Sequence, residues 1–314
     1  MTYIILVGGI KGGVGKTLVC RTCIEYLEST GKSVIAVDSD REVQDVSELY
    51  DSESIGFSDD LRRAMEPDKI LEMAETNPDY IVVNLPGNTY QPLQEWLITT
   101  GSIQTRKAPE GRPQFIQFFI TDGCWSSIQL LQKSLSEHND NLPHVLIRNS
   151  GRLMSSPDWN YLNNVPEYRE LFEKHCILVA DFPLVATPVL FELDRKNLTF
   201  RQAIDTANSL LARRARFFVN QYNQTFDQIF EQLPNLVEGK LKVPKKSQKK
   251  VTLGDLANQL KKDISSIESA IANTKNLKEL AAKLNVSEET LNLSNEQYQK
   301  LRDKIPAESG SKSN

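Results

Sequence analysis

The stretch "GGIKGGVGKTLVCRTCIEYL", residues 8–27, decides the fold. It closes a glycine-rich turn with Gly15-Lys16-Thr17, as the phosphate-loop pattern G-x-x-x-x-G-K-[ST] does. Counting back places Ile10 where the first glycine of that pattern belongs, and a second lysine, Lys11, comes next. The flanks supply the context that a bare G-K-T lacks. "YIILVGG" (3–9) is a continuous apolar run, the mark of a strand covered on both faces. After the turn, Cys20, Cys23, Ile24 and Leu27 recur at three- and four-residue spacing, the buried stripe of a helix, and Gly31 follows as its stop. Strand, turn and helix in this order form an anion trap. Gly12, Gly13 and Gly15 let backbone N–H groups converge on phosphate oxygens, and the helix N-terminus adds partial positive charge. In such a site Lys16 bridges the outer phosphates and the Thr17 hydroxyl ligates Mg²⁺.

The same alternation continues along the chain. "SVIAVDSD" (33–40), "DYIVVNLPG" (79–87), "QFIQFFITDG" (114–123), "HVLIRNSG" (144–151) and "CILVADFP" (176–183) are further apolar runs separated by helical segments. Parallel strands joined by right-handed crossovers follow, and the fold class is α/β: a doubly wound, mostly parallel sheet with a small helical C-terminal tail. Residues 101–113 read as an exposed loop. A long helical pattern begins at Thr199 and carries Phe200, Phe218, Tyr222, Phe226 and Phe230, with a break within it. "GKLKVPKKSQKK" (239–250) is lysine-rich without an acid and reads as a basic linker. Beyond it, "TLGDLANQLKKDISSI" (252–267) matches "NLKELAAKLNVSEETL" (276–291) at a fixed offset, an internal duplication of short helices. The expected organisation is a P-loop domain over 1–237, a linker over 238–251, a duplicated helical module over 252–305 and a disordered end over 306–314.

The net charge of −4 argues against a globally basic nucleic-acid binder, though not against a local basic patch. Four cysteines in 314 residues fit a reducing compartment rather than a disulfide scaffold. No leader pattern and no run of about eighteen apolar residues occurs, so the expectation is a cytoplasmic protein without membrane attachment. Cys20 and Cys23 lie on the apolar helix face and read as core rather than as a redox pair. His138, His144 and His175 show no ligand spacing.

At this point the residues carry a resemblance. "KGGVGKT" (11–17) is similar to the deviant Walker A motif of the ParA/MinD family of P-loop ATPases. The resemblance implies that Lys11 reaches across a dimer interface to phosphates held by the other subunit, so that ATP joins two protomers. It implies ATP and Mg²⁺ as cofactors. It makes Lys11, Lys16 and Asp40 the catalytic set, with Asp40 helping to position the attacking water. It places Thr17, Asp38 and Asp40 near the metal, and Gly12, Gly13, Val14, Gly15, Lys16, Thr17 and Leu18 around the nucleotide. "VDSD" (37–40) resembles the family's acidic switch, although "DSDREVQ" lacks the family's proline and displaces Gln44. "DYIVVNLPGN" (79–88) resembles the Walker B strand and the switch after it, with Gly87 offering an N–H to the γ-phosphate. Here Asn84 stands where the family has aspartate, and an amide cannot supply a carboxylate's charge beside Mg²⁺. Asn149 resembles the family's adenine-reading asparagine, with a turn-forming role as the bland alternative, and Pro183 resembles the start of its adenine-side loop.

Arg213, Arg214 and Arg216 fall on the long helix. The resemblance implies non-specific DNA binding through them and a nucleoid-associated protein; a solvated helix face is the competing reading. The tail reads as a docking module for a partner protein rather than a base-reading helix-turn-helix. The function expected is a slow ATPase and an ATP-dependent homodimerisation switch serving DNA partitioning, conjugative transfer or cargo positioning, with a protein adaptor or cargo as partner. The alternative is an ATP-binding, weakly hydrolysing regulator acting through its basic patch and tail.

Overall fold

A computed structural model describes residues 1–9, 11–41, 44–60, 62–138, 140–149, 151, 159, 165–206, 209–241, 264–285, 298–299 and 302–303. Ile10, the lysines from 242 to 250, the first tail repeat up to residue 263 and the end over 306–314 lie outside them. The chain divides into two compact units, Met1–Val243 and Pro244–Asn314.

In the first unit the strands are β1 (Tyr3–Gly8), β2 (Val34–Asp38), β3 (Ser52–Ser54), β4 (Tyr80–Asn84), β5 (Gln114–Thr121), β6 (His144–Asn149) and β7 (Ile177–Phe182). The helices are α1 (Lys16–Ser29), α2 (Asp68–Glu75), α3 (Tyr90–Thr99), α4 (Trp125–Glu137), α5 (Pro166–Lys174), α6 (Thr187–Arg195), α7 (Phe200–Asp205) and α8 (Leu210–Val237). Among the described residues the sheet has seven strands in the order β3-β2-β4-β1-β5-β6-β7, and each pairing is parallel. The order reverses at β1, the central strand, so the crevice beyond its C-terminal end is the topological switch point where ligands bind in open α/β sheets.

Burial follows the pleat. Ile5 and Val7 of β1 join one apolar layer with Val19, Cys20, Cys23 and Ile24 of α1 and with Phe218, Tyr222 and Phe226 of α8. Ile4 and Leu6 face the opposite way, onto Ile70 of α2 and Leu93, Trp96 and Leu97 of α3. Near the β7 edge, Phe119 and Leu146 pack with Ile128 and Leu131 of α4 and Tyr168 of α5. Strands covered on both faces require continuous apolar runs, which is the pattern the sequence carries.

The helix boundaries have local causes. Gly31, at φ 76°, follows the last turn of α1, and its N–H donates to the Glu28 carbonyl while Lys32 N–H donates to that of Leu27. The break expected after Thr199 lies between α7 and α8. Thr199 caps α7 with a reciprocal bond to Gln202, and Ser209 Oγ caps α8 by accepting from Ala212 N–H. The loop over 101–113 is mostly exposed but pinned: the Arg106 guanidinium donates to the carbonyls of Leu236, Asp140 and Cys176.

The second unit contains α9 (Ile264–Ala272) and α10 (Leu277–Leu284). Asn276 caps α10 by accepting from Glu279 N–H at 3.0 Å, and Asn285 ends it in the left-handed region. Ile267, Ile271, Leu280 and Leu284 are buried with Tyr298, whose hydroxyl donates to the Thr274 carbonyl at 2.6 Å.

Candidate nucleotide site

The turn between β1 and α1 sits at the switch point because β1 is central and ends there. Gly13 (φ 72°) and Gly15 (φ 97°) occupy the left-handed region that side chains avoid. A Cβ on Gly15 would also lie 2.3 Å from Asn149 Nδ2, so glycine is needed there twice over. Gly15 is the N-cap of α1, and no side chain caps that helix. Its first N–H groups and its dipole therefore face the turn without an internal anion, which is the arrangement a phosphate completes. Val14 is buried beneath the turn, and Leu18 is half-buried against the core.

Both lysines are held within this turn. Lys16 is nine-tenths buried, and its ammonium donates to the Lys11 carbonyl at 3.0 Å. Burial lowers its pKa, and the nearby Asp40 charge opposes that shift. Lys11 ion-pairs with Asp122 at 2.5 Å, in the same chain. That contact is the largest cause of the raised Lys11 pKa. Burial pushes the Asp122 carboxyl up, but the Lys11 ammonium and the Cys124 N–H outweigh it and hold the group below its ordinary value. Sequence reasoning missed Asp122. Its signal is an acid directly after a core strand, in "ITDG" (120–123), at the same sheet end as the phosphate loop.

In the acidic switch, both oxygens of Asp38, the residue expected near the metal, are engaged by N–H donors. Oδ1 accepts from Asp40 N–H at 3.2 Å and from the Asn84 amide at 3.0 Å, and Oδ2 accepts from Val46 and Ser47 N–H at 3.1 and 3.2 Å. Asp38 therefore braces the turn over 44–50, and a cation would have to break one of these bonds to reach it. Asp40, half-buried just past the end of β2, is the carboxylate whose charge reaches Lys16. Asn84 is 2% exposed; its Nδ2 donates to Asp38, while its Oδ1 and the Ser39 hydroxyl are buried without a partner among the described residues. The amide gives Asp38 a donor where a second carboxylate would repel it.

Asn149, at the end of β6, ties the sheet to the phosphate loop. Its Nδ2 donates to the Val14 carbonyl at 2.7 Å, and its Oδ1 accepts from Gly151 N–H at 2.9 Å. One amide N–H and one lone pair remain for a base edge. Gly87 lies in the loop after β4, and Pro183 follows β7, both half-buried. Thr17 is half-buried in the first turn of α1. Arg213, Arg214 and Arg216 are on α8, away from this cluster in sequence; Arg213, Arg214 and Arg216 are exposed there, in the company of exposed Leu210 and Phe217.

Among the described residues no group of three or more His, Cys, Asp or Glu side chains could hold a metal alone. Mg²⁺ does not need one: it keeps waters and binds through one or two carboxylates plus phosphate oxygens. Thr17 and Asp40, both half-buried at this end of the sheet, are side chains that could take part in that mode. Cys20 and Cys23 are fully buried in the core, and burial pushes both thiols up.

A central parallel strand, an uncapped helix and a lysine-bearing glycine turn define a P-loop nucleotide-binding protein. The CobQ/CobB/MinD/ParA nucleotide binding domain matches residues 5–305, and the chain belongs to that family. Protein MobD of Acidithiobacillus ferrooxidans is 35% identical over 80 residues, 26% of this chain; the match spans 35% of that relative's length. Similar solved structures include the septum site-determining protein MinD of Pyrococcus horikoshii OT3 complexed with Mg-ADP (17% identity, 71% of this chain and 96% of that one, TM-score 0.44). McdA of Cyanthece (11%, 73% and 100%, TM-score 0.47) and a Borrelia burgdorferi B31 plasmid partition protein bound to AMPPNP (14%, 74% and 100%, TM-score 0.44) are others. No helix among the described residues is long and apolar enough to cross a membrane.

Proposed function

We propose that the protein is an ATP-dependent dimerisation switch that hydrolyses ATP slowly. The observation that carries this reading is the second lysine: Lys11 stands at the mouth of the phosphate loop, while Lys16 lies within it. One ammonium suffices to hold a triphosphate from within the chain. In this reading the second, a third exposed, meets a triphosphate from outside, that of another protomer. Gly12, Gly13, Val14, Gly15, Lys16, Thr17 and Leu18 surround the bound phosphates in this reading. Asn149 and Pro183 border the base, and Gly87 donates to the γ-phosphate. Mg²⁺, when bound, neutralises phosphate charge. Asp40 orients the attacking water, and Asp38 keeps Asp40 and the turn over 44–50 in place. Phosphoryl transfer needs positioning and charge stabilisation more than covalent chemistry from the protein.

The neutral Asn84 beside a saturated Asp38 favours slow turnover, and so a timer whose closed state persists until a partner protein stimulates opening. DNA partitioning, conjugative transfer or cargo positioning are the tasks such a switch serves; the arginines of α8 would then hold DNA through its phosphates. Light scattering after size exclusion tests the switch: the protein doubles in mass with ATP and Mg²⁺ and not with ADP, and a monomer in both refutes it. The same Asn84 geometry favours a second reading, a regulator that binds ATP without hydrolysing it. Steady-state phosphate release with and without DNA separates the two.

A further inference from the structure

The ion pair that holds Lys11 has a consequence for the switch. Asp122 lies 111 residues along the chain from Lys11, immediately after β5, and its carboxylate is shielded (14% side-chain exposure) while Lys11 remains a third exposed. Cys124 N–H donates to the second carboxylate oxygen at 3.1 Å, which fixes the group's direction at the start of α4. The Lys11 carbonyl simultaneously receives the Lys16 ammonium. Both lysines are thus engaged with this chain's own oxygens. An ammonium paired at 2.5 Å in its own chain is not available to a neighbour's triphosphate.

We infer that Asp122 is a positioning residue that competes with the neighbouring protomer's triphosphate for Lys11, and so sets the ATP concentration at which the protein dimerises. The inference rests on the switch proposed above. Each protomer must release one Lys11 before the dimer closes. A partly exposed ion pair with a charge-assisted hydrogen bond is worth roughly a 3- to 10-fold shift in equilibrium. Two pairs break per dimer, so the dimerisation constant carries the square, about 10- to 100-fold. Asp122 is not a catalytic residue: it acts through Lys11.

The test is Asp122→Asn, which keeps an oxygen to accept from Cys124 N–H and removes the charge. Sedimentation velocity on the full chain, titrated with AMPPNP and Mg²⁺, gives the dimerisation constant; calorimetry at protein concentrations too low for dimers gives monomer affinity for the same probe. The expected result is a dimerisation constant about 10- to 100-fold larger in D122N, with monomer affinity unchanged within about twofold, on the same two-pair arithmetic. Lys11→Ala and the double variant K11A/D122N both stay monomeric. An unchanged constant in D122N, while the wild type dimerises, overturns the inference alone. A gain in the double variant as large as in D122N also overturns it, because the effect would not pass through Lys11. If the wild type and D122N both remain monomers at saturating AMPPNP, the switch reading fails and this inference with it.

Discussion

Replacing Asn84 with aspartate changes one atom's chemistry and almost no volume, so its effect isolates charge. In the wild type, Asn84 Nδ2 donates to Asp38 Oδ1 at 3.0 Å, and the two side chains are 2% and 1% exposed. In Asn84→Asp, an ionised carboxylate at this position would lose that bond to a charged group, about 1.5–3 kcal/mol. It would also face Asp38 at the same separation, a repulsion of about 5 kcal/mol at an effective dielectric near 20. Taking up a proton costs less. Protonating a carboxyl of ordinary pKa at pH 7 costs about 4 kcal/mol, and the resulting O–H donates to Asp38 and restores the bond. The variant should therefore fold with one proton shared by the pair, about 4 kcal/mol less stable than the wild type at neutral pH.

The sign with pH follows. The pair's folded-state pKa lies above its unfolded value, so the folded variant binds more protons, and its stability falls as pH rises above the unfolded carboxyl pKa. The penalty should grow by about 1.4 kcal/mol per pH unit from near pH 4, and shrink to about 1.5 kcal/mol at pH 5. Urea unfolding of both proteins at pH 5, 6, 7 and 8, without nucleotide or Mg²⁺, measures it. Mg²⁺ with ATP should recover part of the loss in the variant beyond the stabilisation it gives the wild type, since a cation then faces two carboxylates. A penalty below about 1 kcal/mol that does not vary with pH would refute the reasoning, because it would mean that the pair does not couple.

Three further outcomes are expected. Gly15→Ala should destabilise the protein by roughly 1–3 kcal/mol or more and weaken ATP binding, because it forces a side chain at φ 97° against Asn149, whereas Gly12→Ala, with open space for its Cβ, should leave thermal stability unchanged. Glu25 is 2% exposed and its carboxylate accepts from the Tyr50 and Tyr222 hydroxyls and from Phe200 and Arg201 N–H; Glu25→Ala should lower denaturant-measured stability by roughly 3–5 kcal/mol, and Glu25→Gln by less. His144 is fully buried between the Leu142 carbonyl and the Ser134 hydroxyl, and burial lowers its pKa to about 3. The unfolded chain therefore binds the proton first, and stability should fall by up to about 1.4 kcal/mol per unit as pH drops below about 6.5, a slope reduced in His144→Gln.

The sheet was legible because strands buried on both faces must be written as apolar runs, and β1, β2, β4, β5, β6 and β7 each are. β3 was not: "SES" (52–54) has no apolar residue, since it pairs with β2 at the sheet's edge with two of its three residues exposed. The phosphate loop was legible for a related reason. Its glycines, lysine and threonine act through backbone conformation over seven consecutive residues, so their order along the chain is their order around the ligand.

What acts across strands left no local trace. Asp38, read in isolation, is an acid at a strand end and a natural metal ligand. Only the folded register, which sets Asp38 opposite Asn84 and brings the turn over 44–50 beneath it, shows a carboxylate already saturated by N–H donors. Asn84 read in isolation is a loss of charge; beside Asp38 it is a donor to one of that buried carboxylate's oxygens. Lys11 shows the same dependence most sharply. The resemblance assigns its ammonium to a neighbour's triphosphate, and the parallel register of β1 and β5 supplies a nearer acceptor in Asp122. In the proposed switch, the two assignments are the two ends of one equilibrium. In that switch, Asp122 holds the Lys11 ammonium until a triphosphate, with more negative charge than one carboxylate, competes for it.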